Sequence, residues 1–559
     1  MADILLDQDS QFLRDLGDGR RVFTTSDADL ANIRTYFMTR GAPSGTGDPE
    51  DIVFFRANGL NPGSWANTLI FTIAANNDIQ CLSGWFDNWT PDPELNDTIH
   101  VAYVHNDGGG LHDFGYGEFD TVTESFFFEV IDTNIPQAND HKCGIVALNG
   151  GLIYAFWFSK NNSEFHLYLR INPGNWAHVV TLSNPTDEVC GCELQNIAQI
   201  DMVPSTDGFE LSSPFFVIKQ NRTGANTSGL YCGVVSAGVM ISTQPNTGNG
   251  FLEDMSDETE VNSDIFASFS LAVNPFTGAY YIAYFPREPD HASHALRVVR
   301  LDTATDPPVQ LTDIPITGDN WVPSLTIDQV TGTLYVGFLG GVNGAWPLQV
   351  RTKWTRSKNG GSSWETILNS STDQGEYYTV LGPHSFAFGG ELSALFWVHF
   401  ARRDTGGSVI SQWRSVNSDD IIAGQFTVDE TTPGNEVADC PVGQALGNSN
   451  IPGFFNPHGY PQYITSGKLY ISVAPGKSGS LVPGDKIIGV RSGARGIFQG
   501  WSGSNTERIL LTQVRPGPYG VPFLPGETIQ KVGDPSITVT VAAAPLATTS
   551  SGVPADEET

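Results

Sequence analysis

Ser270-Leu-Ala-Val-Asn-Pro-Phe-Thr-Gly-Ala-Tyr-Tyr-Ile-Ala-Tyr-Phe285 aligns without gaps on Ser324-Leu-Thr-Ile-Asp-Gln-Val-Thr-Gly-Thr-Leu-Tyr-Val-Gly-Phe-Leu339, 54 residues further along the chain. Each copy reads as a strand, a tight turn at Thr277-Gly278 or Thr331-Gly332, and a second strand. A short aromatic or β-branched run on either side of a Gly-containing turn is the signature of a β-hairpin. Self-similarity at a fixed spacing points to one supersecondary unit used repeatedly.

Weaker copies lie on both sides. Upstream are Gly144 to Phe158, turning at Asn149-Gly150-Gly151, and Ile200 to Lys219, turning at Asp207-Gly208. Downstream are Ser385 to Phe400, turning at Gly389-Gly390, and Tyr463 to Val473, turning at Ser466-Gly467. A lone four-stranded sheet cannot bury both faces, whereas sheets stacked radially hide them and leave only short edges. The expected fold is therefore all-β: a six- or seven-bladed β-propeller over residues 51–478, with serial β-sandwiches as the competing arrangement. Ahead of it, residues 1–50 form an N-terminal segment. There Ser26-Asp27, Leu30, Ile33, Phe37 and Arg40-Gly41 predict one short helix with an N-cap and a C-terminal glycine.

Composition narrows the function. The 559 residues carry 29 Lys+Arg against 61 Asp+Glu, a formal net charge of −32. Such a surface repels phosphate backbones and anionic lipid, which argues against nucleic-acid partners and membrane-surface binding. No apolar run approaches the roughly 18 residues needed to span a bilayer. The start of the chain lacks the basic and apolar regions of a signal peptide, so no leader is expected. Six cysteines give no disulfide framework. Cys190-Gly-Cys192 has no second Cys or His pair at zinc-like spacing and reads as reduced thiols.

After the second hairpin comes Ser357-Lys-Asn-Gly-Gly-Ser-Ser-Trp364. This resembles the Asp-box, Ser-x-Asp-x-Gly-x-Thr-Trp, of sialidases and other β-propellers. Ser357, Gly361 and Trp364 match, while Asn359 stands where that family has Asp. The resemblance implies a structural turn late in a blade, with the polar side chain capping turn amides and the tryptophan packed between blades. Sialidases also carry an arginine triad that clamps the substrate carboxylate, since arginine binds it bidentately. Here Arg56 is a poor substitute for the first of these. Arg287, Arg297, Arg300, Arg351, Arg402 and Arg403 lack a matching context. No catalytic residue is carried over, and the chain is expected to be non-enzymatic.

From residue 479 the pattern changes. Val482-Pro-Gly-Asp-Lys-Ile487 echoes Leu524-Pro-Gly-Glu-Thr-Ile529, with Ser492-Gly-Ala-Arg-Gly496 and the alternating Arg508 to Val514 between them. This block resembles a small Gly-rich β module of tailed-phage virion proteins, and predicts a β-sandwich or roll over 479–542 followed by a disordered tail at 543–559. The resemblance implies a structural component of a virion (tail, collar or head surface) assembled in the host cytoplasm. Its partners would be other virion proteins in a homo-oligomer, with host-surface glycan as a further contact. The alternative is a sialidase-like glycoside hydrolase or a carbohydrate-binding adhesin. Trp85 and Trp89 are the candidate glycan-stacking residues, weighed against core packing. His105, His112 and Asp113 read as a hairpin rather than a metal site, and Asp290, His291 and His294 as a loop. Neither a metal nor a cofactor is expected.

Overall fold

The computed structural model describes residues 4–8, 20–24, 34–42, 45–58, 67–73, 77–87, 98–136, 141–148, 152–159, 164–171 and 174–182, and from 188 to 541 the strands given below with the short turns that adjoin them. Every regular element among these is a strand. No helix among the described residues is long and apolar enough to cross a membrane.

Antiparallel sheets follow one another in chain order. The first comprises Val22–Thr24, Arg34–Arg40, Asp51–Asn58 and Asn67–Thr72. Ile79–Asp87, Thr98–Asn106, Leu111–Asp120 and Ser125–Pro136 form the second. His141–Leu148, Leu152–Ser159, Glu164–Ile171 and Trp176–Leu182 form the third. The fourth contains Ile197–Pro204, Pro214–Gln220, Gly229–Ser236 and Val239–Ser242. The fifth has Phe269–Val273, Tyr280–Tyr284, Ala295–Leu301 and Val309–Gln310, and the sixth Asn320–Ile327, Leu334–Gly340, Arg351–Ser357 and Leu368–Asn369. In the next, Glu376–Val380, Phe396–Asp404 and Val409–Asn417 are completed by Ile4–Gln8 from the start of the chain.

Packing runs through the leading strands. Ile79–Asp87 contacts His141–Leu148, which contacts Ile197–Pro204, and the series continues through Phe269–Val273 and Asn320–Ile327 to Glu376–Val380. Side chains stitch the same strands together. The Gln199 amide donates to Phe269 O at 2.7 Å and accepts from Phe269 N at 2.8 Å, and Leu325 N donates to Ser270 Oγ at 2.8 Å. Consecutive meander sheets joined along their first strands are the architecture of a β-propeller. One apolar core runs through the first five sheets, and a second joins the fifth to the sixth.

The repeat that predicts the hairpins also predicts their register. Ser270 pairs with Ala283 and Leu271 with Ile282, while Ser324 pairs with Gly337 and Leu325 with Val336. The N-terminal helix is corrected: Arg34–Arg40 is a strand, and 26–33 lie outside the described residues. Thr35, Tyr36, Phe37, Met38 and Thr39 are all buried, so both faces of this strand are covered and no period of two is visible. The segment is also not separate, because its strands belong to the first sheet and the one closed by Ile4–Gln8. Of the Ser385 to Phe400 hairpin, residues 386–395 with their Gly389-Gly390 turn lie outside the described residues; His384–Ser385 runs parallel to Val22–Thr24, and Glu376–Val380 pairs with Phe396–Asp404.

The C-terminal sheet is six-stranded, in the order Leu469–Ser472, Arg508–Arg515, Arg495–Trp501, Lys486–Gly489, Thr528–Lys531, Asp534–Thr540, with its own apolar core. Leu469–Ser472 thus pairs here, ahead of the expected boundary at 479. Both Pro-Gly-acidic repeats fix turns. Asp485 accepts from Val482 N and pairs with Lys531 at 2.7 Å. The buried Glu527 accepts from Arg491 N, Ser492 N and Ser492 Oγ. The tail at 543–559 lies outside the described residues.

Candidate functional site

The residues singled out by sequence divide between structural roles and positions outside the description. Trp85 is 1% exposed, with the Arg20 guanidinium 4.8 Å from its ring centroid, so it is no surface for a sugar. Its strand is buried between neighbouring sheets. Trp89, Asp290, His291, His294 and Cys190 lie outside the described residues. Arg20 in turn grips Asp201 with both terminal nitrogens, at 2.8 and 3.1 Å, and donates to Met202 O and Leu271 O. It therefore bridges the second, fourth and fifth sheets at their inner strands. Burial pushes the Asp201 carboxyl up and the guanidinium opposes it.

The Asp-box-like segment forms a compact turn. Ser357 Oγ donates to Asn359 Oδ1 and accepts from Gly361 N, while Ser363 N donates to Asn359 Oδ1, all within 2.8–2.9 Å. Gly360 and Gly361 take φ of 65° and 87°, which glycine adopts without strain. Trp364 packs against the core shared by the fifth and sixth sheets. Arg56 is held by Glu124 together with Arg34, clamping the turn of the second sheet onto the first. The His105 to His112 segment is a hairpin turn. Asp107 Oδ1 accepts from Gly109 N and Leu111 N, and His112 Nδ1 lies 2.9 Å from His141 Nδ1. No group of three metal-ligating side chains occurs among the described residues.

A different cluster, not expected from the sequence, lies where the later strands of the second and third sheets meet. Strand alternation puts Tyr116 and Glu118 on one face, with Glu129 directly across from Tyr116. On the opposing sheet, Arg170 stands directly across from Trp176, and Tyr168 across from His178. The two cross-strand pairs meet. Arg170 Nη1 lies 3.0 Å from Glu118 Oε1 and 3.3 Å from Glu129 Oε1. Tyr116 OH donates to Glu118 Oε1 at 2.7 Å, and Trp176 Nε1 to Glu129 Oε1 at 2.9 Å. The rings of Tyr116 and Trp176 meet edge to face at 5.0 Å, with the guanidinium 5.1 and 5.9 Å from their centroids. His100 Nδ1 sits 2.6 Å from Tyr116 OH. Since the phenol gives its single proton to Glu118, His100 must donate from Nδ1, which fixes its tautomer.

Several groups in this cluster are uncommitted. Arg170 Nε donates to Gly174 O and Nη1 serves the carboxylates, so Nη2 has no hydrogen bond among the described residues. The Oε2 atoms of Glu118 and Glu129 are likewise without a partner among them. The side chains of Arg170, Glu118 and Glu129 are 11%, 22% and 34% exposed, so these atoms border solvent. Beside them, Tyr168 OH donates to Asp132, and His166 stacks on Trp157 at 4.3 Å. Burial lowers the His166 pKa, His178 adds to the shift, and Asp132 opposes it.

No protein-family model matches this chain. No curated protein matches it either. Among solved structures it is similar to AofleA from Arthrobotrys oligospora, at 15% identity over 65% of this chain and 89% of that one, with a TM-score of 0.38. An α-L-arabinanase from Penicillium chrysogenum, complexed with arabinobiose, matches at 11% identity over 63% and 97%, TM-score 0.37. A sialidase from Trypanosoma rangeli, in complex with sialic acid, matches at 10% identity over 78% and 70%, TM-score 0.32. No residue of any of them is carried over to this chain. The expectation of a non-enzymatic chain is withdrawn: most of the similar structures are carbohydrate-active enzymes, and at 10–14% identity and TM-scores of 0.26–0.37 they assign no activity to this chain.

Proposed function

We propose that this chain is a glycan-directed propeller protein that holds a sugar where the later strands of its second and third sheets meet. One observation carries the reading. Arg170 Nη2 and the two free carboxylate oxygens of Glu118 and Glu129 face solvent beside the half-buried ring of Trp176, which rests edge to face on the buried Tyr116. Sugars offer adjacent hydroxyls, which both donate and accept, and an apolar C–H face. A few convergent charged groups next to an aromatic ring match both features. Glu118 and Glu129 are also the residue types that glycosidic cleavage requires, one as acid and one as base or nucleophile. Hydrolysis at this site would rest on them. The virion placement, with virion partners and a homo-oligomer, has only the resemblance of residues 479–542 behind it. We further propose that the sheets from Val22 to Asn417 form seven blades of one ring, with Ile4–Gln8 completing the last.

The test is a panel of methyl and nitrophenyl glycosides, read by saturation-transfer NMR for binding and by released nitrophenol for cleavage. Binding is expected in the wild type and lost in Trp176→Ala and Arg170→Gln variants whose melting temperatures show them folded. Any cleavage is expected to fall at least 100-fold in Glu118→Gln or Glu129→Gln. A panel with neither binding nor cleavage overturns the reading.

A further inference from the structure

Charge at this cluster goes beyond the sugar reading and decides which sugars fit it. Glu118 and Glu129 both bear on the single cation Arg170, and Asp132 lies on the same strand as Glu129. The guanidinium is already opposed by two carboxylates, so it has no net positive field to offer an anionic ligand. The chain as a whole adds a formal charge of −32. Recognition of a sugar carboxylate would need an arginine free to engage it bidentately. Here Nη1 is taken by the two glutamates, and only Nη2 is open.

Resting on the sugar-binding reading above, we propose that the cluster selects an uncharged sugar and rejects uronic and sialic acids. The hydroxyls of an uncharged sugar accept from Arg170 Nη2 and donate to the free oxygens of Glu118 and Glu129, while its C–H face covers Trp176. A carboxylate placed in the same position would face two fixed negative charges at close range. Burial of part of each side chain limits how much solvent screens that repulsion.

Matched sugar pairs differing only at C6 isolate the effect: methyl galactoside against methyl galacturonoside, and methyl glucoside against methyl glucuronoside. N-acetylneuraminic acid is added as a third anion. Affinities are measured by titration calorimetry or by quenching of tryptophan fluorescence in the full chain. The uncharged member is expected to bind at least tenfold more tightly than its acid, with the ratio shrinking in 1 M salt. Glu129→Gln, which removes one negative charge and leaves the shape, is expected to narrow the ratio at low salt. A galacturonate, glucuronate or sialate that binds the wild type as well as the uncharged sugars, and loses affinity in Arg170→Gln, overturns the charge selection while keeping the cluster as a sugar site. Failure of every sugar, charged or not, removes the site itself.

Discussion

Asn359 shows how much one side chain can organise. Its Oδ1 accepts from Ser357 Oγ and Ser363 N, and its Nδ2 donates to Ser363 Oγ at 2.8 Å. Asn359→Ala removes all three bonds from a turn whose glycines already take positive φ, and is expected to cost about 1–2 kcal/mol. Asn359→Asp keeps the acceptor, and Ser363 Oγ can rotate its proton towards it, so a change within about 0.5 kcal/mol is expected. Chemical denaturation of the two variants separates them. Arg20 and Asp201 present the opposite case, a charged pair taken largely out of water. Arg20→Met leaves the Asp201 carboxylate without its partner among the inner strands, and a loss of about 3–5 kcal/mol is expected in the same measurement. Asp201→Asn combined with Arg20→Met is expected to recover part of it, since no buried charge then remains unpaired.

At the scale of single strands, Leu111–Asp120 carries different chemistry on its two faces. Gly115 and Gly117 leave room for aromatic rings, since a Cβ on Gly117 would stand 2.2 Å from the Phe126 ring and one on Gly115 2.1 Å from Tyr103. Phe126 in turn packs on Phe54 and Phe71 of the first sheet. Gly117→Ala is expected to displace that ring and cost about 1–3 kcal/mol by denaturation. The other face carries Tyr116 and Glu118 to the cluster with Arg170. At its start, His112 meets His141 across the second and third sheets. Burial lowers the His112 pKa and His105 adds to the shift, while Asp107 and Asp113 oppose it. An unfolded histidine takes up its proton near 6.5, so just below that pH the unfolded chain binds more protons than the folded one. This contribution to stability is therefore present above about pH 6.5 and lost as pH falls towards the lower folded value. Melting temperatures between pH 5 and 8 should drop on the acid side in the wild type and flatten in His112→Asn. An equal slope in both would assign the acid loss to another group.

These same strands show what a sequence reveals. The 270 and 324 hairpins were legible because the same strand, Thr-Gly turn and strand recur in sequence and the two copies share a register. Arg34–Arg40 was not, because burial on both faces removes the alternation, and the chance spacing of Leu30, Ile33 and Phe37 imitates a helix. The cluster around Arg170 escaped notice for a different reason. Glu118 and Arg170 are 52 residues apart and meet only when two sheets pack. The one local trace is alternation itself: Phe114, Tyr116, Glu118 and His166, Tyr168, Arg170 place polar and aromatic groups on one face where an apolar run would normally stand.

At the scale of the whole molecule, the chain's first strand is spent on its last propeller sheet. Ile4 pairs with Ser415, Leu5 with Arg414, Asp7 with Trp413 and Gln8 with Gln412. A second tie lies alongside, where Phe23 and Thr24 meet His384 and Ser385 in parallel. In the proposed ring, every other junction joins sheets adjacent in sequence, so it forms from contacts of modest sequence separation. The closing junction alone couples residues some 400 positions apart, and the loop entropy it must overcome is correspondingly the largest. Deleting residues 1–10 should therefore affect more than one edge. Val409–Asn417 would become an unpaired strand edge, prone to pairing with another chain. The truncated protein is expected to melt several degrees lower and to self-associate by size-exclusion chromatography. A synthetic peptide of residues 1–12 added in excess should raise the melting temperature again, in proportion to the logarithm of its concentration, because it binds only the folded ring. A truncated chain that stays monomeric and melts like the full one would mean that the parallel tie at 384–385 suffices, and that the first strand covers the ring without closing it.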